Sequence, residues 1–178
     1  LEELFQFIIE KFQGAAGRRL FPIECHDIMC KIGEVVVVGG VRRSALISLS
    51  NLNDDQMSHA KAGMWWENEG QRALANNSVA YKGKPQMGTF MREWLSLYES
   101  KSGERGIFNR KSAQVQAAKN GRRDSEQDFG CNPCSEIILR PYQFCNLTEV
   151  VVRESDTEET LIQKVKLATI LGTYQSTL

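Results

Sequence analysis

Gly130-Cys131-Asn132-Pro133-Cys134-Ser135-Glu136-Ile137-Ile138-Leu139, followed by Phe144-Cys145-Asn146-Leu147, is the stretch that decides how this chain is read. It brings three thiols and a carboxylate into a short span. Pro133 lacks an N–H and restricts Asn132 to an extended conformation, which predicts a tight loop. The Ile-Ile-Leu run after it suits a strand. If the backbone is extended from Cys134 to Glu136, period-two alternation puts both side chains on one face, a sulfur beside a general base. Cys145 could return to that face on the next segment.

Working outward, helical and strand patterns alternate. Leu1, Leu4, Phe5, Ile8, Ile9 and Phe12 recur at helical spacing, so residues 1 to 13 read as an amphipathic helix ended by Gly14. Pro22 suits the first turn of a second helix with Ile28, Met29, Ile32, Val35 and Val36 on one face and Gly39-Gly40 at its end. The Val35 to Val38 run reads equally as a buried strand. Ser44 to Ser50 alternates and predicts a strand. Asn53 with Gln56 resembles a capping box for a short helix to Gly63. A polar loop is expected from Trp65 through Arg72, and a strand at Ser78 to Tyr81. Met87, Phe90, Met91, Trp94, Leu95 and Tyr98 form a helical stripe that reads as a core-facing surface. Gly106 to Phe108 is a brief strand, and Asn109 caps a helix that stops at Gly121. A loop at 122–130, strands at Ser135 to Leu139 and Glu149 to Arg153, and a helix from Thr157 complete the pattern. The expected fold class is α/β.

Composition narrows the function classes. The chain has 178 residues, room for one domain with a sizeable core. Lys plus Arg is 22 and Asp plus Glu is 22, so no cationic excess is present to displace counterions, which argues against a nucleic-acid binder. No run approaches the ~20 apolar residues of a membrane span. There is no signal peptide, which with the cysteine usage reads as cytoplasmic. The chain opens on Leu1 inside a helical pattern and stops at Leu178 without a stop signal, and so reads as a piece of a longer polypeptide, truncated at both ends.

The five cysteines, Cys25, Cys30, Cys131, Cys134 and Cys145, are an odd number without a secretion signal, so a disulfide framework is not expected. A zinc site could use Cys131 and Cys134 with Cys25, His26 or Cys30. Cys25 and Cys30 sit about 140° apart on a helix of 3.6 residues per turn, poorly placed to share one metal. Alternatively Cys131-Asn132-Pro133-Cys134 resembles the thioredoxin active site, but that chemistry wants the first thiol at the start of a helix, and here a strand pattern follows. Thirdly, the thiols serve a radical or redox enzyme. The plainest reading makes Cys25 and Cys30 buried small hydrophobes.

Four ordered segments resemble the large catalytic chain of ribonucleotide reductases, most closely the adenosylcobalamin-dependent class. They are Gly39-Gly40-Val41-Arg42-Arg43-Ser44-Ala45-Leu46-Ile47-Ser48-Leu49; Ala73-Leu74-Ala75-Asn76-Asn77-Ser78-Val79; Ser102-Gly103-Glu104-Arg105-Gly106-Ile107-Phe108-Asn109-Arg110; and Asn132 through Leu147. The resemblance implies a segment of a ten-stranded α/β barrel in which Asn132-Pro133-Cys134-Ser135-Glu136 sits on a finger-like loop. By that resemblance Cys134 becomes a transient thiyl radical and abstracts the 3′ hydrogen of a ribonucleotide substrate. Glu136 acts as base for the 3′ hydroxyl, Asn132 hydrogen-bonds the substrate, and Cys145 is one of two thiols that end as a disulfide. Gln71 and Arg72 lie where the family links a nucleotide effector to the substrate. Adenosylcobalamin would generate the radical, and a thioredoxin-like dithiol would re-reduce the disulfide.

The chain departs from the family pattern in three ways. Neither Cys25 nor Cys30 has the context of the second reducing thiol, Cys131 carries no family role, and a ten-stranded barrel cannot close in 178 residues. Residues 1 to 178 are therefore expected to be a single partial barrel segment, inactive alone. Its open strand edges would favour a homo-oligomer. Two other readings stay open: a stand-alone interaction or regulatory module derived from that enzyme, and a Cys-x-Pro-Cys thiol oxidoreductase.

Overall fold

Helix α1 (Glu2–Gly14) starts on Glu2 and Glu3, which suit the positive end of its dipole, and carries Lys11 in its last turn. The computed structural model describes residues 1–38, 41–42, 44–101, 103–121 and 123–177, with the backbone alone at 37–38 and 41–42. Helix α2 (Pro22–Val35) has proline at its first position, and the Phe21 N–H donates to Glu24 Oε2 at 2.7 Å. Both starts follow the sequence pattern. The end of α2 does not: the helix stops at Val35, and Val37–Val38 forms strand β1, antiparallel to β2 (Val41–Arg42). The valine run is thus divided: Val35 closes the helix and Val37–Val38 forms the strand. Gly39 and Gly40 at the expected helix stop, Arg43 and Ser102 in the family-like segments, Arg122 at the start of the expected loop, and Leu178 lie outside the described residues.

The buried side of α2 differs from the expected apolar face. His26, Asp27, Cys30 and Gly33 are buried, whereas Met29 and Ile32 are exposed. The cause is a charge. Asp27, 1% exposed, accepts from Arg72 Nε at 2.6 Å and Nη2 at 2.8 Å, and from Lys11 Nζ at 3.0 Å. Satisfying a buried carboxylate outweighs burying Met29, because an unpaired buried charge costs several kcal/mol. Gly33 permits close packing: a Cβ there would come within 3.3 Å of Ser44 Oγ.

The centre is a three-stranded parallel sheet of β3 (Leu46–Ser50), β4 (Ala75–Tyr81) and β5 (Gly106–Asn109), in the order β3-β4-β5. Leu46 pairs with Ala75 and Ser78 with Gly106. Parallel neighbours need long crossovers. The first crossover contains α3 (Asp55–Ser58), α4 (Trp65–Asn68) and a 3-10 helix (Gly70–Leu74). The loop expected from Trp65 through Arg72 is therefore helical. The cap of α3 is Asp54, whose carboxylate accepts from the Met57 N–H at 3.0 Å, and not Asn53. The second crossover is α5 (Met87–Ser100). Phe90 of α5 meets Tyr81 of β4 with ring centroids 6.2 Å apart, but Met87, Met91, Trp94, Leu95 and Tyr98 are exposed, contrary to the core-facing expectation. Buried ion pairs lace the sheet to these crossovers. Arg105 forks onto Glu93 at 3.0 and 2.7 Å and reaches Ser50 Oγ at 2.7 Å. Glu104 accepts from Lys61 Nζ at 3.0 Å and from the Asn77 N–H at 3.0 Å.

Asn109 ends β5 and caps α6 (Arg110–Ala118), its Oδ1 accepting from the Ser112 N–H at 2.9 Å. Beyond it, β6 (Gly130–Cys131) and β7 (Ile138–Leu139) form an antiparallel hairpin. The chain divides into two compact units, Leu1–Pro141 and Tyr142–Leu178. The second holds α7 (Glu158–Gln175), which starts where expected and is capped by Thr157. Residues 149–153 are not a strand; they lie in irregular structure, where Lys164 of α7 donates to the Val151 carbonyl at 3.3 Å. The fold observed is mixed α/β with a parallel sheet.

Burial alone would raise the Asp27 carboxyl, but the hydrogen bonds from Arg72 and Lys11 overturn that and hold it below the ordinary carboxylate value. A carboxyl depressed in the folded state adds stability that is complete above its unfolded value, about 3.9, and is lost as pH falls through the folded value. Arg72→Ala, which removes two of the three hydrogen bonds to Asp27 and leaves Lys11 alone to pair it, is expected to cost about 3 kcal/mol. The urea midpoint at pH 7 reads this, and the variant's midpoint should also respond less to acid. An unchanged midpoint would show the pair to be dispensable.

Candidate functional site

The hairpin loop between β6 and β7 carries the residues singled out in the sequence. Gly130 pairs with Leu139 and Cys131 with Ile138, which leaves residues 132–137 as the loop. Asn132 closes it twice. Its N–H donates to the Ile137 carbonyl at 3.2 Å, and its Oδ1 accepts from the Ile137 N–H at 3.0 Å. Within the loop, the Ser135 N–H donates to the Asn132 carbonyl at 2.9 Å, closing a turn over Pro133 and Cys134. Asn132 is buried at 5% exposure. A buried asparagine of this kind has structural work to do, and its carboxamide oxygen is occupied by the loop.

Ser135 has φ of 65°, in the left-handed region. The backbone from Cys134 to Glu136 is therefore turned, and the extended run that would have put both side chains on one face is absent. Cys134, Ser135 and Glu136 are exposed together at the apex. Cys131 is buried, with Sγ 3.5 Å from Ser135 Oγ. No helix begins at Cys131 or Cys134, as the thioredoxin-like reading would need. Among the described residues no group of three or more His, Cys, Asp or Glu could hold a metal ion.

Neighbouring elements orient the hairpin. Arg110, the first residue of α6, donates from Nε to the Phe129 carbonyl at 2.7 Å and pairs with Asp128 at 3.2 Å. Gln114 on the next turn donates to the Gln127 carbonyl at 3.2 Å. Phe129 is fully buried. From the sheet, Asn76 of β4 donates from Nδ2 to the Pro133 carbonyl at 2.9 Å. The sequence reading missed Asn76 as a residue of this site. The quoted segment contains it, but its partner is 57 positions away and no local pattern announces such a bond.

The other expected site residues lie elsewhere. Gln71 is buried and donates to Glu69 Oε2 at 2.6 Å. Arg72, at 8% exposure, is committed to Asp27 and donates from Nη1 to the Ala60 carbonyl at 2.7 Å. Cys145 is half-buried in the second unit. Cys30 is buried as expected, but Cys25 is exposed. His26 Nε2 lies 3.5 Å from Cys30 Sγ, and burial lowers the imidazole while it pushes the Cys30 thiol up to about 12, with the Asp27 charge adding to the thiol's rise.

No protein-family profile matches this chain, and no solved structure does. Curated proteins match it. The chain is 32% identical over 154 residues to an adenosylcobalamin-dependent ribonucleoside-triphosphate reductase of Lacticaseibacillus paracasei, a match covering 84% of this chain and 20% of the relative. It is 33% identical over 158 residues to the enzyme of the same description from Levilactobacillus brevis, covering 84% of this chain and 20% of the relative. With that of Lactobacillus leichmannii it shares 34% over 154 residues, covering 79% and 19%. The chain thus spans about a fifth of the length of the curated relatives it matches. The likeness read from four segments extends over most of the chain.

The thiols should separate by reactivity. At pH 8, Cys25 and Cys134 are expected to alkylate readily, whereas Cys30, buried and with its thiol near 12, should resist until the chain unfolds. Peptide mass spectrometry after a timed pulse of iodoacetamide reads this. Labelling of Cys30 as fast as Cys25 would contradict the packing of α2.

Proposed function

From the sequence kinship of this chain with a one-fifth segment of adenosylcobalamin-dependent ribonucleoside-triphosphate reductases, we propose that it is the thiol-bearing part of a ribonucleotide reductase. The observation that carries the reading is the apex Cys134-Ser135-Glu136, an exposed thiol and carboxylate on a loop clamped by Asn132 and Asn76. Radical hydrogen transfer needs its thiol at a fixed distance from the reacting bond, and a clamped loop supplies that. In the complete polypeptide the parallel sheet β3-β4-β5 is one part of a ten-stranded α/β barrel. The substrate is a ribonucleoside triphosphate, after the description of the relatives.

In this reading Cys134, as a thiyl radical, takes the hydrogen atom from C3′, so that a C–H bond breaks and an S–H bond forms. Glu136 accepts the 3′-hydroxyl proton. Two thiols, one of them Cys145, give up two electrons and two protons and become a disulfide: one proton leaves with the 2′ hydroxyl as water, and the other proton with the two electrons makes the new C2′–H bond. Glu136 returns its proton to the 3′ oxygen, the hydrogen atom returns from Cys134 to C3′ and restores the thiyl radical, and an external dithiol of the thioredoxin kind restores the pair. Asn132 holds the loop with its Oδ1, so a substrate contact from this residue falls to its Nδ2. Gln71 and Arg72 act from behind the surface, as struts of the crossover that in the family resemblance serves the nucleotide effector.

Adenosylcobalamin is the cofactor named in the description of the relatives, and the cobalamin dependence is proposed for the complete polypeptide. No helix among the described residues is long and apolar enough to cross a membrane. A second reading, an interaction module, draws on the exposed apolar stripe of α5.

The test is deoxyribonucleotide formation by the complete polypeptide carrying this segment, given ribonucleoside triphosphates, a dithiol and adenosylcobalamin. Cys134→Ser should lower turnover by at least a thousandfold, about 4 kcal/mol of barrier. Glu136→Gln should slow it about 10²–10⁴-fold, the usual worth of a general base. Turnover retained by Cys134→Ser would overturn the reading.

A further inference from the structure

The geometry points to Asn76 as a positioning residue for the Cys134 loop. The loop's own bonds, Asn132 to Ile137 and Ser135 to Asn132, fix its internal shape but not its aim. Aim requires a link to something outside the hairpin. Asn76 supplies one from the central strand of the sheet by donating to the carbonyl of Pro133, the residue before Cys134. That carbonyl belongs to the peptide plane that ends on the Cys134 nitrogen. Holding it limits rotation of the plane, and with it the swing of the Cys134 side chain.

The root of this tether is itself pinned. On one side, Lys61 donates to the Ala75 carbonyl. On the other, the Asn77 N–H donates to Glu104 Oε2 at 3.0 Å. Lys61 and Glu104 pair with each other at 3.0 Å, so a single half-buried ion pair brackets Asn76 along the strand. The sheet adds its ladder, with Asn76 opposite Ile47. Asparagine is a poor choice for a central strand on propensity alone. Where a sequence breaks a local rule, a function is the usual compensation. Here the exposed carboxamide of Asn76 is spent on the loop.

This inference rests on the reductase reading for its catalytic half, and its structural half is tested separately. Asn76→Asp keeps the shape and removes the donor at neutral pH; Asn76→Ala removes both. In the 178-residue chain, both variants are expected to speed amide hydrogen exchange at Ser135 and Ile137 by about tenfold, the signature of easier local opening, with Val79 of β4 unchanged. In the complete polypeptide, both should lower kcat about 10- to 100-fold, since misplacement on the scale of 1 Å costs about 10² in rate. KM should stay within about twofold, because Asn76 acts through the loop and not on the substrate. Unchanged exchange at Ser135 and Ile137 in both variants would overturn the tether. Faster exchange with an unaltered kcat would overturn the positioning role. Failure of the reductase reading shows differently, as turnover that survives Cys134→Ser.

Discussion

One carboxylate, Asp27, holds the first unit together. It lies in the middle of α2, nearly without solvent, and it cannot stay ionised there alone. Lys11 reaches it from α1 and Arg72 from the 3-10 helix that precedes β4. Arg72 also holds the Ala60 carbonyl, between α3 and α4. Two helices and the long crossover between parallel strands therefore converge on a single charge. Such a pair adds little net energy relative to a well-packed apolar trio, but it is intolerant of partial assembly. In the structure the crossover sits where Asp27 and Arg72 are both satisfied.

From that anchor the constraint passes to the sheet and then to the loop. The crossover delivers Lys61 and the start of β4. Lys61 meets Glu104, and Glu104 meets the β4 backbone at Asn77. The adjacent residue, Asn76, reaches Pro133. Each link is short and polar, and several are shielded from water. A rigid support of this kind suits a loop that must present one thiol and one carboxylate repeatedly in one geometry.

Elements with local punctuation were legible in the sequence. Pro22 opens α2, Gly14 ends α1, Asn109 caps α6 and Thr157 caps α7, because a cap or a stop acts within three or four residues of itself. The residues that depend on distant partners were not legible. The burial of Asp27 and Arg72 rests on a bond spanning 45 positions, so periodicity assigned α2 the wrong buried face and residues 67–72 a loop. The stripe on α5 has helical spacing, which predicts its helix but not what covers it. The extended run through Cys134 and Glu136 failed at Ser135, a left-handed position that neither glycine nor asparagine marks. Residues 149–153 have β-branched composition but no partner strand is described for them, and composition without a ladder does not make a strand. The thiol motif itself was the clearest signal in the chain, and the tether that holds it was invisible.

The division into two units has an optical consequence. All three tryptophans, Trp65, Trp66 and Trp94, belong to Leu1–Pro141. Indole emission therefore reports on that unit alone, and the Trp65–Trp66 edge contact at 6.1 Å makes it sensitive to the crossover. α7 carries no tryptophan, and its melting registers in far-ultraviolet dichroism. A fluorescence transition and a dichroism transition that fail to superimpose would accordingly report two units melting apart, and a single free energy fitted to both would describe neither.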